Sequence, residues 1–192
     1  MSSNSWWQTL FTQQAAGPAL TAAAAASMLV AASPVAGQNR FTVPAGMLKV
    51  GDRLRFTASG IISSVITTPG TARFDIRFGS TVLFDSFAMP LNIVAQTNVN
   101  WELEMLATIR SIGATAAATL WASGKWFSGA SINTAAPATG PGPGGQLLPY
   151  GSAQAISAGF DSTIANVFDS FFTQTVATGS LTCQQAELSY CT

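Results

Sequence analysis

Residues 101–110 read WELEMLATIR and alternate apolar with polar side chains almost without a break. The apolar residues share one parity: Trp101, Leu103, Met105, Ala107 and Ile109. The polar residues share the other, with Leu106 as its exception: Glu102, Glu104, Thr108 and Arg110. Because a β-strand sends successive side chains to opposite faces, this stretch predicts a strand with one face on a core and the other in solvent.

The same alternation recurs on both sides of this stretch. It is found in residues 53–59, 73–78, 81–87, 116–127, 162–172 and 180–190. Gly79 and Ser80 form a two-residue turn signal, which predicts a hairpin. In the last segment the apolar parity switches between Cys183 and Ala186, which predicts a β-bulge. The pattern therefore predicts an all-β, antiparallel jelly-roll β-sandwich of about 8–10 strands.

The remaining segments divide the chain into an arm and one domain. Residues 1–20 carry no charge and are predicted to form an N-terminal arm. Residues 21–192 are predicted to form the sandwich domain. Residues 21–32 are alanine-rich and are interpreted as a strand, because no acidic residue at their start and no basic residue at their end supports a helix, and the segments around them are β. Residues 89–99 predict a loop. Residues 128–160, rich in Gly, Pro and Ala, predict a long exposed loop without ladder pairing, with 137–150 pointing outward.

The amino-acid composition favours a role in protein–protein contact over a role in catalysis. Only 8% of the 192 residues are charged, with eight basic and eight acidic side chains and no His. Ordinary soluble domains carry about 25% charged residues. A surface with so little charge is weakly protected against association, so the composition predicts a subunit of an assembly. The balanced charge provides no electrostatic footprint for nucleic acid.

The two cysteines and the longest apolar tract indicate in which cellular compartment the protein is made and whether it spans a membrane. Cys183 and Cys191 on one extended strand would lie too far apart for a disulfide, so we expect free thiols and synthesis in a reducing cytoplasm. Residues 22–32 are much shorter than the ~20 residues of a membrane-spanning helix. No secretory signal is visible at the N-terminus. The sequence therefore predicts no membrane partner.

Few groups could carry catalysis. Glu102 and Glu104 share a strand face and could act as a pair, although a solvated outer face is the favoured interpretation. Asp75 stands between Arg73 and Arg77, which predicts a cross-strand charge cluster. The glycines of 140–145 lack the Lys and Ser or Thr of a phosphate loop. We therefore predict no enzyme activity, no cofactor and no metal site.

Six residues are candidates for contact with a partner. In the arm they are Trp6, Trp7, Leu10 and Phe11, large apolar side chains that need a covering surface. The alternative is that the arm folds back on its own domain. Parity places Trp101 and Trp126 in the core, and it places Trp121 with Lys125 on the opposite face. That exposed face predicts either packing between subunits or a sugar-binding platform.

Two blocks of sequence resemble a known group of virion proteins. Residues 41–60 read FTVPAGMLKVGDRLRFTASG, and residues 98–128 contain NVNWELEMLATIRSIG. With the closing TCQQ strand they resemble jelly-roll proteins encoded among the structural genes of tailed bacteriophages, over roughly residues 20–190. The resemblance implies a structural protein of the virion and brings no catalytic residues. Proteins of this size in that group include trimeric head decoration (cement) proteins and fibre or tail components.

The expected function is accordingly that of a capsid decoration protein. It would bind the major capsid protein on the outside of the head as a homotrimer and stabilise the shell. The alternative is a tail fibre or spike receptor-binding domain, whose 137–150 loop and Trp121 face contact host surface glycan. A trimeric ligand of the tumour-necrosis-factor type is a third alternative, which the lack of a signal peptide disfavours.

Overall fold

The protein is described by a computed structural model covering residues 6–29, 40–65, 70–131, 144–177 and 179–192. These residues form β-strands and no helix, which confirms the predicted all-β class. The strands in chain order are β1 Gln8–Thr12, β2 Ala26–Ser27, β3 Thr42–Val43, β4 Arg53–Ser64, β5 Thr71–Phe78, β6 Thr81–Asp85, β7 Met89–Pro90, β8 Gln96–Ser111, β9 Thr119–Ser128, β10 Gly144–Leu148, β11 Asn166–Gln174 and β12 Ser180–Cys191.

The strands pair into two antiparallel sheets. One has the order β1-β12-β4-β8-β9-β10, and we call it the larger sheet because most of its strands are longer. The other, the smaller sheet, has the order β2-β11-β5-β6, with β3 beside β11 and β7 beside β5. The chain passes repeatedly from one sheet to the other, so strands distant in sequence become neighbours. This arrangement confirms a two-sheet antiparallel β-sandwich. The strand order is compatible with a jelly roll, and that finer description stays a prediction.

The core follows from the two-residue alternation. Along β8 every second side chain from Trp101 to Ile109 is buried. Phe74 of β5 lies at the centre of an aromatic cluster, with ring centroids 5.8 Å from Trp101, 5.5 Å from Trp126 and 5.4 Å from Phe172. Such contacts stabilise beyond their buried area alone. The prediction that Trp101 and Trp126 face inward is confirmed.

The predicted arm is part of the sandwich from residue 8 onward. Strand β1 pairs with β12, where Gln8 lies opposite Tyr190. Phe11 is buried, and its ring centroid is 6.2 Å from that of Phe168. The amide of Gly17 donates to the carbonyl of Cys183. The segment therefore covers the edge of β12. This is the alternative in which the arm folds back on its own domain. Residues 1–5 lie outside the described residues.

The prediction of a loop without ladder pairing over residues 128–160 was wrong for residues 144–148, which form a strand. Gly144–Leu148 pairs with β9, and Gly145 lies opposite Phe127. A Cβ on Gly145 would lie 2.3 Å from that ring, so the missing side chain permits this pairing instead of preventing it. Further along, Ile156 bridges to Trp121 and Phe160 to Ala118. Residues 132–143, which include the first part of the 137–150 loop, lie outside the described residues.

Other boundaries moved by a few residues. The strand predicted over 21–32 is only Ala26–Ser27 in the described residues, which end at 29 in this region. The loop predicted over 89–99 contains β7 and the start of β8. The strand predicted to begin at residue 162 begins at Asn166. The bulge in β12 is confirmed, because the pairing with β4 shifts between Cys183 and Gln185.

Both cysteines are free and buried, as predicted. Burial raises the pKa of the Cys183 thiol to about 12. Only the thiolate attacks disulfide reagents, so a buried thiol with a raised pKa is protected twice.

We therefore expect neither thiol of the folded protein to react with Ellman's reagent at pH 8, whereas both should react in denaturing urea. The absorbance of the released thionitrobenzoate checks this result. Rapid release of one equivalent or more from the folded protein would contradict the burial of the two side chains.

Candidate contact surfaces

The carboxylate of Asp52 accepts hydrogen bonds that hold two segments of the chain together. Its side chain accepts hydrogen bonds from the Tyr190 hydroxyl at 2.5 Å and from the Lys49 amide at 2.8 Å. Burial, with the nearby carboxylate as a second cause, raises the pKa of Tyr190. The contact ties the loop before β4 to the end of β12. Asp52 therefore has a structural role.

The outward side of the smaller sheet holds the predicted charge cluster in a different arrangement. Arg73 of β5 forms two hydrogen bonds with Asp85 of β6, whereas Asp75 pairs with Arg77 on its own strand. The Arg77 guanidinium also lies 3.9 Å from the centroid of the Phe171 ring. The predicted cross-strand charge cluster is thus present in the pair Arg73–Asp85, whereas Asp75 pairs within its own strand.

Asp169 of β11 is a second buried carboxylate of this side, besides Asp75. It accepts hydrogen bonds from the Ser27 hydroxyl at 2.6 Å and from the Ser170 amide at 2.9 Å, and it lies 3.1 Å from Arg40 Nε. Burial raises the pKa of this carboxyl, against the opposing effect of these contacts. Its contacts join β2, β11 and the segment before β3.

Glu102 and Glu104 have different environments although they share one face of β8. Glu104 binds Lys125 at 2.8 Å and Arg55 at 3.0 Å, and these contacts lower its pKa. Glu102 is exposed and has no hydrogen bond or ion pair within the described residues. Of the two, only Glu102 fits the predicted solvated face.

The other two carboxylates also have local partners. Glu187 accepts hydrogen bonds from Ser189 and Thr9. Asp161 accepts bonds from Thr163 and from the Thr115 amide, which lower its pKa. Seven of the eight carboxylates are thus engaged in contacts that hold the fold. Within the described residues no group of three or more Cys, Asp or Glu side chains is placed to hold a metal ion.

The structure separates the four candidate residues of the N-terminal segment. Trp6 is 72% exposed, and Trp7 is partly covered by Arg53, whose guanidinium carbon lies 5.2 Å from the ring centroid. Leu10 is partly buried against the core, and Phe11 is fully inside it. The prediction of Phe11 as a contact residue was wrong, because its ring fills the core beside Phe168. Only Trp6 and part of Trp7 are available to a partner.

Trp121 and Lys125 do not form the joint exposed face that the sequence predicted. The Trp121 indole Nε1 donates to Gln154 Oε1 at 2.6 Å, and the Trp121 backbone forms an isolated bridge with Ile156. The Arg110 guanidinium carbon lies 5.8 Å from the ring centroid. Lys125 binds Glu104 instead. The segment after β10, which the sequence reading placed in a loop, lies over Trp121 and leaves it half-buried.

Three loops meet with Trp6 at one end of the sandwich. We call this surface the Trp6 end and define it as residues 6–7, 44–52, 111–118 and 161–165. Hydrogen bonds link its loops: the Gly113 amide donates to Ser162 Oγ at 2.9 Å, and the Gly46 amide donates to the Ser162 carbonyl at 2.9 Å. Besides Trp6 and Trp7, its exposed large apolar side chains are Val50, Ile112 and Ile164.

A groove of about 530 Å³ crosses the outward side of the larger sheet. Its lining combines neutral polar, charged and aromatic side chains from β1, β4, β8, β9 and β12. The strand register places Ser59, Glu102 and Phe127 side by side, with Gln185 next to Ser59. Phe127 is 50% exposed. Phe127 was not singled out from the sequence. The alternation that buries Trp126 was the signal that could have placed it on the outward face, but nothing local indicated which residues would surround it.

Comparison with known proteins adds no assignment: no protein-family model and no curated protein matches this sequence. Within the described residues, no helix has the length and apolar character needed to cross a membrane.

Proposed function

We propose that this chain is a non-enzymatic structural protein of a virion, a capsid decoration (cement) protein that binds the outside of a phage head as a homotrimer. The observation that carries the proposal is the Trp6 end. There, the exposed Trp6 ring and three exposed branched aliphatic side chains lie at one end of the sandwich, whose loops are joined by hydrogen bonds to Ser162. Exposed apolar groups concentrated on one surface mark a site of protein contact.

The use of the charged groups supports contact over catalysis. Seven of the eight carboxylates are occupied by hydrogen bonds or ion pairs, so few are available to transfer protons or bind metals. At the Trp6 end, Asp52 and Asp161 are satisfied by groups of the chain itself. Lys49 is the one charged side chain of the Trp6 end without a hydrogen bond or an ion pair in the described part of the chain, so docking this surface requires the desolvation of a single free charge.

The mechanism follows from mass action. Burying one large apolar side chain contributes about 1.5–3 kcal/mol. A protein that binds the assembled shell and not its dissociated subunits stabilises the shell by an amount that grows with its free concentration. A trimer would present three copies of the Trp6 end, and linked sites bind together more tightly than one site alone.

Replacing both Trp6 and Trp7 with Ala is expected to weaken attachment to capsids by about 10-fold to 100-fold, because roughly 1.5–3 kcal/mol of apolar burial is lost. Cosedimentation with decoration-free capsids measures the effect. The matched control is the double change Ile93→Ala and Val94→Ala, which alters exposed apolar side chains at the opposite end of the sandwich. Equal attachment of both variants would contradict the assignment.

Deleting residues 1–17 would be a poor test of the same idea. It removes β1 and the buried Phe11 ring, and so it confounds loss of docking with loss of folding. The point substitutions leave β1 intact because residues 6 and 7 precede it.

Copy number in purified virions tests the proposal as a whole. Mass spectrometry against the major capsid protein should give a ratio near one to one for a protein bound across the shell. A ratio of a few per cent would overturn the decoration role and favour the alternative, a fibre or spike domain that contacts host glycan.

A further inference from the structure

We propose that the groove on the larger sheet binds a neutral saccharide chain. This inference concerns a different surface from the Trp6 end and does not depend on the decoration role. The three observations behind it are an exposed aromatic ring, a free carboxylate beside hydroxyl and amide groups, and a buried amide oxygen without a partner.

The Phe127 ring provides an aromatic platform. Half of the side chain is exposed, and the ring borders the groove. Gly145 on the neighbouring strand lies so close that a Cβ there would come within 2.3 Å of the ring, so the glycine backbone borders the ring closely. The C–H groups on one face of a pyranose are apolar and pack against such a surface, while the hydroxyls project from its rim.

Hydrogen-bonding groups surround this platform. Glu102 lies across from Phe127 on one side and Ser59 on the other, and its carboxylate is free within the described part of the chain. The side chains of Gln185 and Thr57 line the same groove. A carboxylate can accept from two adjacent sugar hydroxyls, and amides and hydroxyls can both donate and accept. This mixture matches a ligand that carries many hydroxyl groups and no charge.

The side-chain oxygen of Gln13 is a buried hydrogen-bond acceptor without a donor, which is an observation independent of the first two. Its side chain is only 4% exposed and lines the groove at the β1 end. Nε2 donates to the Cys183 carbonyl at 3.1 Å, whereas Oε1 is buried with no hydrogen-bond partner. Buried polar atoms are nearly always satisfied, and an exception calls for an explanation. Oε1 itself is closed off from the groove, so a ligand hydroxyl supplies the missing donor only when the Gln13 amide turns toward the groove.

The charges of the groove disfavour anionic ligands. Its charged lining consists of Arg55, Lys125, Glu102, Glu104 and Glu187, two cations against three carboxylates. Glu104 occupies both cations, at 3.0 Å from Arg55 and 2.8 Å from Lys125. Phosphate or sulfate groups would therefore meet no free positive charge and would be repelled by Glu102. The volume of about 530 Å³ lies within the range of small-ligand sites.

The test uses the full chain and defined probes. Isothermal titration calorimetry with maltohexaose, cellohexaose and chitohexaose should show saturable binding of at least one, with a dissociation constant near or below 1 mM. Heparin hexasaccharide and hexalysine serve as an anionic and a cationic probe. Absence of saturable binding for all three neutral probes at 10 mM overturns the proposal, as does tighter binding of heparin hexasaccharide or hexalysine.

Variants locate the site. Phe127→Ala should weaken binding of the active probe at least 10-fold, and Glu102→Gln should weaken it about 3-fold to 10-fold. Val50→Ala, at the Trp6 end, is the matched control and should bind as the unchanged protein does. Thermal melting establishes that each variant is folded. Unchanged binding by folded Phe127→Ala protein would place the ligand elsewhere.

Because Trp6 and Trp7 lie outside the groove, their double variant keeps saccharide binding even where capsid attachment fails.

Discussion

Replacing Phe74 with Ala is expected to lower the free energy of unfolding by about 3–5 kcal/mol. The Phe74 ring is buried and contacts the rings of Trp101, Trp126 and Phe172, which come from β8, β9 and β11. Its removal would leave a cavity between the two sheets, and these large rings cannot collapse fully into it. Because whole domains are stable by only about 5–15 kcal/mol, one such change is a large fraction of the total.

Urea unfolding followed by tryptophan fluorescence measures this loss as a lower midpoint at unchanged slope. Phe127→Ala is the matched control, since it removes the same ring from an exposed position and should cost about 1 kcal/mol. A Phe74→Ala variant as stable as the Phe127→Ala variant would show that the aromatic cluster does not hold the sheets together.

Replacing Gly60 with Ala is expected to cost about 3 kcal/mol or more. Gly60 lies in β4 opposite the β12 bulge, and an added Cβ would come within 2.0 Å of the Thr182 carbonyl oxygen. That oxygen belongs to the backbone, so the strand itself must move and the bulged pairing must break. The pair lies in the middle of the larger sheet, where both neighbours of β4 are fixed.

Gly129→Ala provides the matched control. A Cβ there would meet its nearest atoms, on Val99, at 3.8 Å, which is ordinary van der Waals contact. We expect this change to stay within about 0.5 kcal/mol of the unchanged protein. Urea unfolding separates the two variants, and equal midpoints would contradict the close approach of β4 and β12.

The parts of the fold that follow from local alternation were predictable. The parity of residues 101–110 placed Trp101 inside and Glu102 outside, and the parity change near Cys183 located the bulge. Both are properties of one strand and its own side chains. The free thiols also followed from sequence, because a single extended strand holds Cys183 and Cys191 apart.

The parts that depend on pairing between distant segments were not predictable. Gly144 and Gly145 have the composition of a loop, yet they form a strand because β9 offers a free edge and Phe127 leaves room only for glycine. Phe11 has the character of an exposed anchor until β12 supplies an edge beside it and Phe168 a neighbouring ring. No local signal reports which edge a segment will cover.

The candidate sites show the same division. Parity correctly put Trp121 and Lys125 on one side of β9, but Gln154 and Glu104 then engaged them separately. The Trp6 end is assembled from loops far apart in sequence, and the groove from five strands. Single residues of these surfaces were predictable, whereas their neighbours were set by the sheet register.

The pairing of β1 with β12 also determines how the molecule responds to mechanical load. Gln8 lies opposite Tyr190, so the beginning of one strand and the end of the other emerge side by side. A pulling force applied between residues 6 and 192 would open this pair like a zipper, one hydrogen bond at a time, instead of shearing all of them together. A force on an anchored Trp6 would therefore separate β1 from β12 first. The aromatic cluster around Phe74 would bear no direct tension.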